Sequence, residues 1–386
     1  LPAPAHRWVE AVEQARDRHD PAAQAALAGS TPPEATARWL EDLASRLWDA
    51  PRPPKLSRKP PMPQTSVLTI AKGRDANLRN VIRGLAAQSQ QPLELVIGVM
   101  QDGPYTDLPA VDFPIRQITI PLVHGELPLA RARNAVAAAA QGEVLAFVDV
   151  DCIPHPEFVA DLARACTPGR GLVMGEVAYL PAGATGGGLD FALFDRIGVR
   201  HSDRQAPPES GLQLCEDYRC FWSLNFAMHR DDWAQSGGFC EAYYGYGGED
   251  TDFGRGLAES GIDIWWTKGA RVYHQYHEHC MPPVHHLDSV MRNADVFASR
   301  WGFRTMEHWL FGFRLMGLLE LKPDGSLHKL REPDAADYEL CRQTVDMPYA
   351  NTRRVLDKLQ EVTVSDAART EEVARQQADM RRIAAE

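Results

Sequence analysis

Asp149 and Asp151 stand one residue apart directly after the apolar run 144–148. Two carboxylates at a strand end offer hard oxygen ligands to a divalent cation, which can in turn hold phosphate oxygens. Alone, such a triplet reads first as a solvated strand-end turn. A second acidic cluster, Glu249, Asp250 and Asp252, follows Gly245-Tyr246-Gly247-Gly248. Glycines let a loop approach a ligand closely, so these acids could supply a general base and a grip on a hydroxylated substrate. They would serve equally to start a helix over 250–260, where carboxylates complement the helix dipole. The third cluster packs His274, His277, His279, His285 and His286 around Cys280, five of the thirteen histidines in thirteen residues. One or two of them could complete a metal site begun by Asp151. A zinc site that includes Cys280 is the alternative, but the spacing fits no standard structural pattern and one thiolate does not close such a site.

Positioning these clusters requires a scaffold, and the chain alternates short apolar runs with helical patterns. Runs at 66–71, 93–100, 115–120 and 144–150 read as strands, and 77–88 and 129–140 as helices. Strand–helix–strand alternation with fully apolar strands predicts an α/β fold, a mostly parallel sheet with helices on both faces. Ligands gather at the carboxyl ends of such strands. Three ends carry polar groups: Lys72 and Arg74, then Asp102, then Asp149 and Asp151. Residues 1–50 read as a helical extension, 51–64 as a proline-rich linker, 65–300 as the main domain and 301–386 as a helical C-terminal region.

The chain has 386 residues with 41 Lys and Arg against 52 Asp and Glu, a net charge of −11. No global field would hold a nucleic acid, and an anionic substrate must meet a local basic cluster. No stretch approaches the roughly 18 to 20 apolar residues that span a bilayer. The seven cysteines are scattered and contain no CxxC, which reads as reduced thiols in a cytoplasmic protein, soluble or peripheral at a membrane.

Together the clusters resemble glycosyltransferase family 2, the inverting nucleotide-sugar enzymes of the GT-A fold. The resemblance begins at Ser66 and the loop Ala71-Lys72-Gly73-Arg74. It continues through Gln101-Asp102-Gly103, the Ala130–Asn134 helix start, Asp149-Val150-Asp151 and the run from Asn225 to Phe239. Gly247-Gly248-Glu249-Asp250 is similar to the acceptor-side motif of β-1,4-galactosyltransferase and chondroitin-polymerase type enzymes. The first loop departs from the family's Thr-Tyr-Asn-Arg, and the second strand ends in Gln101-Asp102 rather than two acids.

The resemblance implies a GT-A core with helical extensions and transfer from a nucleotide-sugar, a UDP-sugar foremost, to a hydroxyl on a glycan or small molecule. It implies Mn²⁺ or Mg²⁺ on Asp151 and His274, with His277 as second choice. It places Ala71, Lys72, Arg74, Asp102, Arg133 and Asp149 on the nucleotide and Asp250 as general base. Glu249, Tyr246, Trp222 and Asn225 fall on the acceptor side, with buried packing the alternative for Trp222. Two rivals remain open at this stage, a sugar nucleotidyltransferase and a non-catalytic glycan-binding protein on the same core. The helical flanks are expected to pack on the core or form a dimer contact.

Overall fold

The computed structural model describes residues 62–201, 204–343, 356–357 and 359–360. The chain divides into two units, Leu1–Pro61 and Met62–Glu386. The expected N-terminal helices, most of the linker and most of the stretch beyond 343 lie outside the described residues.

Strands β1 (Thr65–Ala71), β2 (Glu94–Val99), β3 (Ile115–Thr119) and β4 (Val144–Val148) run parallel in the order β3-β2-β1-β4. β2 and β4 are buried along their whole length, which is why they read as nearly continuous apolar runs. Alternate residues of β1 enter opposite cores, Val67 and Ala71 one, Leu68 and Ile70 the other. Helix α1 (Asp75–Ala86) buries Leu78, Val81, Ile82 and Leu85 in the first core. That spacing is one helical face, and each such side chain contributes about 1.5–3 kcal/mol when fully buried. On the second face α2 (Leu129–Ala139) packs the small residues Ala130, Ala132 and Ala137 with Val136.

The chain continues through β5 (Cys152–Pro154), α3 (Phe158–Ala165), β6 (Leu172–Met174), β7 (Val177–Tyr179), α4 (Phe191–Ile197) and β8 (Leu212–Leu214). Next come β9 (Asn225–His229), α5 (Arg230–Ser236), α6 (Glu249–Glu259), β10 (Ile264–Thr267) and β11 (Val272–His274). The main sheet extends as β4-β9-β6-β10-β8, with β9 antiparallel to both its neighbours. A small second sheet, β5-β11-β7, stands beside it. The result is the expected mixed, mostly parallel sheet between helices.

Helices α7 (Leu287–Trp301) and α8 (Glu307–Leu315) follow. The region beyond 301 is not helical throughout: β12 (Leu319–Leu321) and β13 (Leu327–Lys329) form an antiparallel hairpin before α9 (Ala335–Cys341). The turn passes through Gly325 at φ 83°, a backbone that glycine adopts without strain. Val290 and Ala294 of α7 share one core with Leu310 and Phe313 of α8, so the expected boundary at 300 falls inside a packed unit. All seven cysteines are free. Among the described residues no helix is long and apolar enough to cross a membrane.

Candidate active site

Three strand ends and one helix start build the site. After β1 the chain turns through Gly73 and Arg74, at φ 59° and 55°. The end of β2 holds this turn: Gly73 N donates to Gln101 Oε1 at 2.6 Å, and the Tyr105 hydroxyl donates to Gly73 O at 2.6 Å. Gln101 is therefore a clamp on the first loop. Arg74 leaves the loop toward Asp151, donating from Nη1 to Oδ2 at 3.0 Å. Ala71 is buried at the end of β1, whereas Lys72 and Asp102 lie exposed at the strand ends.

Asp151 ends the turn after β4, and the small sheet brings the histidines to it. β11 pairs with β5 so that His274 stands opposite Cys152, and Gln275 N donates to Asp151 O at 2.7 Å. His274 Nε2 lies 3.6 Å from Asp151 Oδ1, and His277 Nε2 lies 3.4 Å from Oδ2. The three ligand atoms all fall within 4.8 Å of one another. Two ligand atoms each about 2.1 Å from one ion, at right angles, stand about 3 Å apart, so the set fits a divalent metal with modest closure. Burial pushes the His274 pKa down to about 4, outweighing the pull of Asp151, and a neutral imidazole is what a metal needs. Burial works against the charge of Asp151, but His274, His277 and Arg74 together hold its carboxyl well below the usual range. Both candidate histidines thus meet Asp151. Cys280 does not join them; its thiol faces the Tyr338 carbonyl at 3.9 Å.

The second cluster centres on Arg133. Its guanidinium is buried, with Nη1 at 3.2 Å from Glu249 Oε1 and 3.6 Å from Asp250 Oδ1. Nη2 lies 3.8 Å from Asp149 Oδ1 and donates to Ser223 Oγ at 2.5 Å. Arg133, expected on the nucleotide, faces three carboxylates and a hydroxyl. Positive φ at Gly247 and Gly248, 90° each, delivers the chain into α6. A Cβ on Gly247 would stand 2.5 Å from Met306 Sδ, so no side chain fits there without a shift.

The acids that open α6 have different partners. Asp252 accepts from Tyr243 Oη at 3.1 Å and Trp301 Nε1 at 2.8 Å, and pairs with Arg300 at 2.8 Å; it ties α6 to α7. Asp250 Oδ2 accepts from Ser223 N and Oγ, both at 3.0 Å. Its Oδ1 is buried without a hydrogen-bond partner among the described residues. Burial, then the Asp250 charge, lifts the Glu249 pKa to about 7 against Arg133. Burial also lifts Asp149 to about 7, with Arg133 opposing and the neighbouring acids adding to the rise.

Tyr246 is 39% exposed and stacks on His286 and Trp309, at 4.5 Å and 5.6 Å between ring centroids. Trp222 is half-buried with the His201 ring edge-on at 5.2 Å. Asn225, expected on the acceptor side, is fully buried, its amide oxygen accepting from Gly175 N and its nitrogen donating to the carbonyls of Glu176 and Ala270. Every polar atom of that amide is committed to backbone. Sequence reasoning missed Ser223 and Trp309, and it gave Gln101 and His286 no such partners although both stood in the motifs it singled out.

Residues 66–190 match the family described as Glycosyl transferase family 2, and residues 210–278 match the N-terminal domain of galactosyltransferase. The first segment holds Lys72, Arg74, Asp102, Arg133, Asp149 and Asp151; the second holds Glu249, Asp250, His274 and His277. Validoxylamine A glucosyltransferase from Streptomyces hygroscopicus subsp. limoneus is 26% identical over 268 residues, 62% of this chain and 57% of that protein. The chain thus spans little more than half the length of that relative. Among solved structures, GalNAc-T7 with UDP, GalNAc and Mn²⁺ aligns over 78% of this chain and 58% of its own, at 12% identity and a TM-score of 0.45. TarS 1–349 of S. aureus aligns over 64% and 69%, at 14% identity and a TM-score of 0.41.

Proposed function

We propose that this chain, whose residues 66–190 are a family 2 glycosyltransferase segment in a GT-A fold, is a metal-dependent inverting glycosyltransferase. Its donor is a nucleotide-sugar, UDP-linked foremost, and its acceptor a hydroxyl. The observation that carries the reading is Asp250, with Oδ2 fixed by Ser223 and Oδ1 left without a hydrogen-bond partner among the described residues. A carboxylate held this way is oriented to receive one proton.

Asp250 takes the acceptor proton at Oδ1 while the hydroxyl oxygen bonds to the anomeric carbon. The bond from that carbon to the diphosphate oxygen breaks, and its electron pair leaves with the diphosphate. A single displacement without a protein nucleophile inverts the anomeric centre. Glu249 holds a neighbouring acceptor hydroxyl, and the exposed Tyr246 face supports the acceptor ring. Asp149 faces the ribose, and Lys72, Arg74 and Asp102 line the nucleotide end, Arg74 with the fork that suits phosphate. A divalent ion on Asp151, His274 and His277 would supply Lewis-acid charge for the leaving group. Two imidazoles among three ligands favour Mn²⁺ over Mg²⁺, which prefers oxygen donors.

UDP release from a panel of UDP-sugars, glucose first because the relative is a glucosyltransferase, tests the proposal with and without Mn²⁺. Metal-dependent release that rises with a hydroxyl acceptor supports it. The same release after thorough chelation would overturn the metal assignment, and no release with any sugar nucleotide would overturn the activity.

A further inference from the structure

Arg204 is a residue near the site whose chemistry the proposed reaction leaves unused. It lies between α4 and β8 and folds inward. The carbon of its guanidinium stands 5.3 Å from the Trp222 ring and 5.1 Å from the Trp266 ring. Its Nη1 and Nη2 are buried and have no hydrogen-bond partner among the described residues. A buried charge without a partner is strongly unfavourable and normally acquires one. Glu176 borders the same cavity as Arg204 but is already committed, pairing with Arg200 at 3.1 Å and Arg271 at 2.8 Å.

The surroundings say where the missing partner belongs. Trp222, against the guanidinium, meets the His201 ring edge-on at 5.2 Å, and the His201 ring lies 5.7 Å from that of Tyr179. The Tyr179 ring lies 4.7 Å from that of His274. Asp250 is the proposed base, hydrogen-bonded to Ser223 beside Trp222. Arg204 is therefore joined through Trp222 to Ser223 and Asp250, and through the His201 and Tyr179 rings to His274. Two indole rings hold its planar fork in place before any ligand arrives, which suits recognition of an oxyanion.

We infer that Arg204 is a donor-binding residue that pairs with an oxyanion of the sugar nucleotide, either a diphosphate oxygen or a carboxylate on the sugar itself. The inference rests on the glycosyltransferase reading and adds a specificity element to it. It explains why a buried guanidinium has no hydrogen-bond partner among the described residues: the substrate supplies the counter-charge.

The test compares Arg204→Met with wild type by calorimetric titration of UDP, UDP-glucose, UDP-glucuronate and inorganic pyrophosphate, all with Mn²⁺. Losing a charge-assisted pair predicts that affinity for at least one of these anions falls by about tenfold or more. A fall shared by all four identifies the diphosphate as the partner. A fall confined to UDP-glucuronate identifies a sugar carboxylate. A smaller change for every ligand overturns the inference. Ligand-free melting separates binding from scaffolding, because removing an unpaired buried charge should leave the variant at least as heat-stable as wild type. A lower melting point with unchanged affinities would make Arg204 structural and overturn the inference. Should Arg204→Met not fold, Arg204→Gln takes its place under the same tenfold criterion. Wild-type binding of pyrophosphate that depends on Arg204, without binding of any nucleotide, would sustain the anion site while overturning the donor reading. Failure of wild type to bind any of the four would overturn both.

Discussion

Asp250 and Asp252 lie two residues apart on one helix, yet their surroundings divide their roles. Asp252 is held by Tyr243, Trp301 and Arg300, whereas Asp250 keeps an oxygen without a hydrogen-bond partner among the described residues. Asp250→Asn preserves volume and much of the hydrogen bonding to Ser223 but cannot take a proton. Donor affinity should stay nearly constant while kcat falls by roughly 10² to 10⁴, the usual worth of general-base catalysis. A purely structural acid at the start of α6 forecasts little change, since the amide fits the same place. Unimpaired kcat would remove the base assignment. Glu249 yields a pH prediction. Its pKa stands near 4.5 unfolded and about 7 folded, raised first by burial and then by Asp250. The folded state therefore holds this proton more tightly. Stability from this group is complete below pH 4.5 and is lost as pH rises through 7, a difference of order 3 kcal/mol. Glu249→Gln removes the titration, so its melting point relative to wild type should climb between pH 4.5 and 8. A constant difference across that window would contradict the raised pKa.

At the scale of elements, the metal site depends on strand register. His274 reaches Asp151 because β11 pairs with β5 across more than a hundred residues of sequence, His274 opposite Cys152. Local reading could find the aspartate at a strand end and the histidine run, since both are written in neighbouring residues. It could not show that both His274 and His277 face Asp151, because that pairing belongs to the second sheet. A buried amide that locks backbone, as Asn225 does, and one that grips a ligand look alike in sequence. The three carboxylates that face Arg133 come from two distant segments, so local reading could not bring them together. The hairpin β12–β13 lies next to a densely apolar stretch that reads as helix, and Pro323-Asp324-Gly325 is its turn signal. The register argument carries its own prediction. Asp151→Asn and His274→Ala should each weaken Mn²⁺ binding by tenfold or more in calorimetry, on the order expected for losing one of three protein ligands. Wild-type Mn²⁺ affinity in both variants would place the metal elsewhere.

For the molecule as a whole, the question is whether the main domain ends near residue 300. The packing says it does not. Val284, Leu287, Val290 and Ala294 are at most 3% exposed, and their cover comes from Leu310, Phe313, Leu315 and Leu318. Ending the chain at 300 would uncover these four side chains. Each loses about 1.5–3 kcal/mol at full exposure, less for Ala294, against a typical total stability of about 5–15 kcal/mol. The same cut removes Trp309 from beneath Tyr246 and Met306 from against Gly247, so the loop that delivers Asp250 would lose its support. A 62–300 fragment should therefore melt well below a 62–386 chain and bind a hydrophobic dye in its native baseline. Trp309→Ala in the longer chain isolates the second effect, because it leaves most of the shared core in place. It should raise the acceptor KM with little change in donor affinity, since the loops proposed to bind the nucleotide follow β1 and β2, whereas Trp309 stacks on Tyr246. A 62–300 fragment with unchanged melting and kinetics would show that the C-terminal elements are an appendage, and would return the acceptor platform to Tyr246 alone.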